Sequence, residues 1–169
     1  METRKLPEFW LRGKVEGIPD LLQPVAHSLL QSREEVQVYM KDFPEHLLWI
    51  KPAERASVGF HLQHLSGVIN RLVTYSKDNN LSEEQLVYLK SEGVKDSKIS
   101  SEELIQKFLE NIDETLWYLK NVPETSLTEF RGVGRKQLPS TVIGLLFHVA
   151  EHTQRHIGQL LVTVSIVKA

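Results

Sequence analysis

Apolar residues recur along the chain at helical spacing, interrupted by polar and proline-bearing segments. Leu22, Val25, Leu29, Val36, Met40 and Phe43 fall mostly three, four or seven apart, as one stripe of an amphipathic helix does. Pro19-Asp20 opens this helix and Pro44 ends it. A loop follows to Ala56, and Ser57 is the expected N-cap of a second helix reaching Lys77. Its stripe holds Phe60, His61, His64, Val68 and Leu72. Ser82-Glu83-Glu84-Gln85 has the form of a capping box and predicts a short helix with Gly93 at its C-terminal end. Ser100-Ser101-Glu102-Glu103 offers a second box. It opens a helix with Leu104, Ile105, Phe108, Leu109, Ile112, Leu116 and Leu119 on one side, ending before Pro123. Residues 124–139 read as a loop, and Ser140 as the cap of a last helix running to Val167. The β-branched residues of 162–167 suit a strand by propensity, but no partner strand is evident, so the helical reading stands. Four long helices, one short helix and no sheet predict an all-α fold, a four-helix bundle in a single domain over residues 1–169.

Composition narrows the function. With 20 basic and 22 acidic residues the net charge is -2, which gives a polyanion nothing to follow, so nucleic acid is not an expected partner. The absence of cysteine excludes a catalytic thiol, a disulfide frame and a thiolate-ligated zinc. Residues 1–11 carry scattered charges and no apolar core of a signal peptide, and the apolar runs are too short to span a bilayer. No membrane partner is expected, and the protein is read as cytoplasmic.

The chemistry-bearing pattern is histidine. Of the seven, five fall in two helical clusters: His61 and His64 on the second helix, and His148, His152 and His156 on the last. Residues four apart on a helix lie one above the other, about 6 Å between Cβ atoms, so two such imidazoles can converge on one metal. A third from a facing helix would complete a three-histidine site with a position left open, and His61 and His64 both qualify. The alternative is a set of core or surface histidines satisfied by hydrogen bonds. Buried without a metal, each unpaired nitrogen would cost about 1–3 kcal/mol. His148-Val149-Ala150-Glu151-His152 also matches H-x-x-E-H, an inverted zinc-peptidase signature. That reading needs an acidic ligand downstream, and residues 153–169 contain no Asp or Glu.

The last helix, His148-Val-Ala-Glu-His152-Thr-Gln-Arg-His156-Ile-Gly-Gln159-Leu, resembles the H-x-x-x-H-x-G-Q signature of the DinB/YfiT-like metalloenzymes. The second helix resembles theirs too, with Ser57 seven residues before His64, and so do the stretches Trp49 to Arg71 and Leu81 to Leu86. The likeness covers about residues 22–164. It implies a four-helix bundle with a divalent metal, zinc or nickel, ligated by His64, His152 and His156 between the second and fourth long helices. It leaves the roles of His61 and His148 open and suggests a supporting role for Gln159. Characterised relatives include S-transferases that use low-molecular-weight thiols such as bacillithiol or mycothiol. The resemblance therefore implies a thiol-dependent transferase with a small thiol and an electrophile as partners. A metal-dependent hydrolase and a metal-binding stress protein without turnover are the alternatives. Arg131, Arg135 and Lys136 are either contacts for an acidic cosubstrate or a solvated loop. The apolar end of the last helix, Leu160 to Val167, exceeds what one bundle face needs and predicts a homodimer.

Overall fold

The computed structural model describes residues 6–169; Met1 to Lys5, the start of the segment read as lacking a signal peptide, lie outside them. Among the described residues there are five α-helices: α1 (Gln23–Tyr39), α2 (Val58–Ser76), α3 (Glu83–Ser91), α4 (Ser101–Lys120) and α5 (Val142–Lys168). The four long ones pack in a ring, α1 on α5, α5 on α2, α2 on α4 and α4 on α1, with the short α3 against α2. Ladders of apolar residues from each close the core, among them Leu29, Leu65, Ile69, Phe108, Ile112, Leu146 and Leu160, all fully buried. No helix of the described residues is long and apolar enough to cross a membrane.

The helix starts follow their capping chemistry. Ser57 Oγ accepts the Phe60 N–H at the head of α2, and both capping boxes form, Ser82 with Gln85 and Ser100 with Glu103. The segment before α2 is held close by Trp49. A Cβ on Gly59 would sit 2.6 Å from the Trp49 ring, so only glycine admits the indole against the first turn of α2. The β-branched tail of α5 is helical, with Thr163 and Val164 buried.

Three expectations are corrected. The first helix stops at Tyr39 rather than running to Phe43, because Asp42 turns left-handed (φ 53°) and folds Phe43 back into the core. The expected loop 124–139 contains a hairpin, β1 (Phe130–Val133) paired antiparallel with β2 (Leu138–Thr141), Phe130 opposite Thr141. Four residues per strand are too few for an alternating pattern to stand out. Pro139 is tolerated in β2 because in a two-stranded ribbon both strands are edges. The ladder runs on through Thr141, so α5 starts only at Val142 and its cap is the last strand residue: Thr141 Oγ1, not Ser140, accepts the Gly144 N–H. The hairpin also engages Arg131. Its guanidinium donates to the Ser76 carbonyl at the end of α2, to Phe130 O and to Glu129, which makes it a tie between hairpin and helix.

Candidate metal centre

Side by side in the ring, α2 and α5 bring His64 to face His152 and His156. One imidazole nitrogen from each of the three lies within 4.8 Å of the others. The four-residue spacing sets the His152 and His156 rings 4.7 Å apart, and the His64 ring lies 4.4 Å from His156 and 5.2 Å from His152. The cap at Ser57 fixes where α2 begins, and with it the height at which His64 meets α5.

Proton accounting shows what this cluster can accept. His64 Nδ1–H donates to Glu92 Oε2 at 2.7 Å, since the carboxylate can only accept. In the neutral ring Nε2 then accepts, and its donor is His152 Nε2–H, 2.9 Å away. His152 Nδ1 is buried with no hydrogen-bond partner. With the proton between His64 and His152 released, the three rings offer nitrogen donors to one spot, a set that suits a divalent ion of borderline softness, so the cluster can hold a metal.

The side chains behind the histidines were only partly foreseen. Glu92 is the one that sequence reasoning missed. It lies just past α3, its side chain 5% exposed, and binds His64 with one oxygen and Arg71 with the other, at 2.5 Å. The short helix is what delivers it. Tyr88 OH donates to the Gln63 carbonyl, Gly93 N–H donates to Gln63 Oε1, and Gln85 donates to Asn70 and Thr74, so α3 is pinned along α2 beside His64. Gly67 leaves the space: a Cβ there would meet the Glu92 carboxylate and the Arg71 guanidinium. Nothing in the sequence separates Glu92 from other acids of this segment except its place before a glycine.

His61, left open by the sequence, is 3% exposed and stands behind His156, their Nδ1 atoms 3.2 Å apart, with its own Nε2 3.4 Å from Thr163 Oγ1. His148 lies one turn before His152 and donates to Glu151, which also accepts from Arg155. His148, Glu151 and His152 form a second, more exposed group with suitable spacing. With Glu151 tied to both neighbours and an imidazole from α2 as the third group, the geometry departs from the peptidase signature. His27 and His46 stand apart; the former bonds the Gly13 carbonyl.

Residues 28–160 match the family model of the DinB superfamily, a span containing all five clustered histidines. The chain belongs to the DinB superfamily. Its fold is shared with a crystal structure of a protein from Streptococcus pneumoniae, TM-score 0.64 at 15% identity, over 89% of this chain and 91% of that one. No curated protein matches the sequence.

In this DinB-like protein, burial and then the neighbouring His64 push His156 down to about 3 and His61 to about 4, and burial lowers His152 as well. At neutral pH these rings are uncharged, the form that offers a lone pair. The folded values lie below the ordinary 6.5, so the unfolded chain takes up more protons on acidification. Stability from these groups is full above about pH 6.5 and is lost as pH falls toward about 4 for His61 and about 3 for His156. Thermal scans of chelator-treated protein should show the unfolding midpoint falling over that range, less steeply for His156→Gln. A flat profile would contradict the burial of neutral rings.

Proposed function

We propose that His64, His152 and His156 ligate one divalent ion, zinc or nickel, and that the protein is a thiol-dependent S-transferase. The observation that supports this is the convergence of three imidazoles, two of them backed by groups that fix their tautomers, Glu92 behind His64 and His61 behind His156. Three protein ligands leave a coordination position open, which is the layout of a reactive site and not of a structural one. When bound, such an ion would stabilise a thiolate or hydroxide at neutral pH. The chain's own contribution is to hold the donors. Glu92 keeps the His64 proton on Nδ1. His61 accepts from His156 Nδ1–H when the other nitrogen is engaged and passes its Nε2–H toward Thr163. In the transfer, the thiol would lose its proton to solvent, its sulfur would bond the electrophilic carbon, and the leaving group would depart as an anion with the bonding pair. The lack of cysteine fits a thiol supplied by a cosubstrate and, with it, a reducing compartment such as the cytoplasm.

The test pairs metal analysis with turnover. Protein purified without chelator or nickel resin should carry close to one ion per chain and conjugate a low-molecular-weight thiol to chlorodinitrobenzene with release of chloride. His156→Gln should keep its helical content and lose conjugation. Turnover of ester or amide substrates with water alone would favour the hydrolase, and metal without any turnover would favour the binding protein. We also propose a homodimer through the apolar end of α5, Leu160 to Val167, where Leu160 and Val164 are buried in the chain's own core and Leu161 is 39% exposed. Sedimentation at the mass of one 19.4 kDa chain at micromolar concentration would count against it.

A further inference from the structure

The face of α5 that carries the histidines continues beyond them. His152, His156, Gln159, Thr163 and Ile166 follow at intervals of four, three, four and three, one stripe of the helix. Past His156 this stripe leaves the metal centre and becomes one wall of a groove of about 670 Å³. The opposite wall is the turn before α2, with Pro52, Ala53 and Ala56, and Val162 and Ile166 stand on the α5 side. At 1.5 Å per residue, Ile166 lies about 15 Å along the helix from His156. The floor holds His61 and Thr163, so the groove ends one side chain away from His156.

Three features separate this groove from a chance hollow. Its size falls in the range of pockets for small ligands, and its walls are mostly apolar. Val162 and Ile166 are 56% and 55% exposed, although they face a concave surface that a ligand would cover. The opposing wall turns through two consecutive non-glycine residues in the left-handed region, Ala53 (φ 47°), which lines the groove, and Glu54 (φ 58°), which does not. Such conformations cost about 1–3 kcal/mol each and concentrate where a site dictates the backbone path.

Charge defines the occupant. The described residues lining the groove include Arg55 and Arg155 and no acid. Arg155 is already paired with Glu151 at 2.7 Å, whereas Arg55 has no ion-pair partner among the described residues. One uncompensated cation beside an apolar trough calls for one anionic charge on an apolar body.

We propose that this groove binds a small amphipathic monoanion, its aliphatic or aromatic body along Pro52, Ala53, Val162 and Ile166 and its carboxylate or similar group at Arg55. The inference rests on the S-transferase reading in one respect only: if that reading holds, this molecule is the class of electrophile presented to the centre. Binding itself needs no metal.

The probes are octanoate and its neutral counterpart octanamide, titrated calorimetrically into the full chain, with and without chelator, and metal content is measured on the same samples. Octanoate should bind at one per chain, equally in metal-loaded and stripped protein, and at least tenfold more tightly than octanamide. Arg55→Ala should lose that preference. Val162→Trp, which fills the trough from an exposed position, should abolish binding while metal content stays unchanged. Were Val162→Trp to misfold, judged by circular dichroism, Arg55→Glu carries the same test. Octanoate binding that vanishes with the metal and ignores both variants would place the carboxylate on the ion and overturn the proposal. Absence of binding in a chain that sediments as a dimer would give the groove to a second copy, and absence in a monomer would leave it without a ligand. Equal affinity for octanamide would remove Arg55 from recognition. Because metal content is read separately, a protein without metal that still binds octanoate defeats the enzymatic reading and leaves this one intact.

Discussion

Thermal unfolding of this protein should respond strongly to divalent metal, and the response should vanish in His152→Ala. An ion that binds only the folded state stabilises it by mass action, about 4 kcal/mol when free ion stands a thousandfold above Kd. For a chain of this length that is about 8–16 °C in the unfolding midpoint. The reason to expect so large a coupling is that the donors exist as a set only in the fold: His64 comes from α2, and His152 and His156 from α5. Removing His152 also removes the buried Nδ1 that has no partner, so the metal-free variant should be no less stable than metal-free wild type by more than its lost packing. His64→Ala should behave like His152→Ala, whereas His27→Ala and His46→Ala should keep the full shift. Scans with zinc or nickel, each against a chelated control, decide the matter. A full metal shift in His152→Ala would show that the ion sits elsewhere.

Glu92 carries the second large effect, because it serves two partners at once. Arg71 donates to one of its oxygens with a side chain only 10% exposed, and His64 donates to the other. Glu92→Ala leaves the Arg71 charge buried and unpaired, and breaking a buried pair from one side costs about 3–5 kcal/mol. It also frees His64 to turn or change tautomer, for which loss of an outer partner typically weakens metal binding about 10–100-fold. The two roles separate by substitution. In Glu92→Gln the amide oxygen can still accept from His64 or from Arg71, but the charge is gone. Arg71→Met spares the His64 contact. Metal affinity should therefore drop in both Glu92 variants and hold in Arg71→Met, while stability falls most in Glu92→Ala. If Glu92→Ala binds metal as wild type does, the carboxylate supports the fold and has no part in the centre.

These two expectations come from different sources. The histidine cluster could be read from spacing, because a helix repeats every 3.6 residues whatever packs against it. His152 and His156 must then share a face once 142–168 is helical. The helix starts were legible for a similar reason: Ser57, Ser82 and Ser100 cap through bonds reaching only three residues onward, so local chemistry suffices. Local chemistry also misled. Ser140 is as good a cap as Thr141 by residue type, and what displaces it is a hairpin ladder that extends to Thr141 and delays the helix to Val142. The hairpin went unseen because its two strands are four residues each and one contains a proline.

By itself the sequence determined the bundle, its order of helices, and two of the three imidazoles on a shared face, since each follows from periodicity or from a contact within one turn. Family resemblance, through Ser57 seven residues ahead, singles out His64, but only the tertiary structure gives the physical reason that it meets α5 while His61 stands behind. His61 and His64 differ by three residues on one stripe, and the crossing of two helices, a long-range property, turns one toward His152 and the other behind His156. The same holds for Glu92, 28 residues from His64 along the chain, and for Arg71, brought together with it only because α3 folds back along α2 into the space that Gly67 leaves. Pairing between residues so far apart carries no period and no local signature. It is fixed by what packs against what.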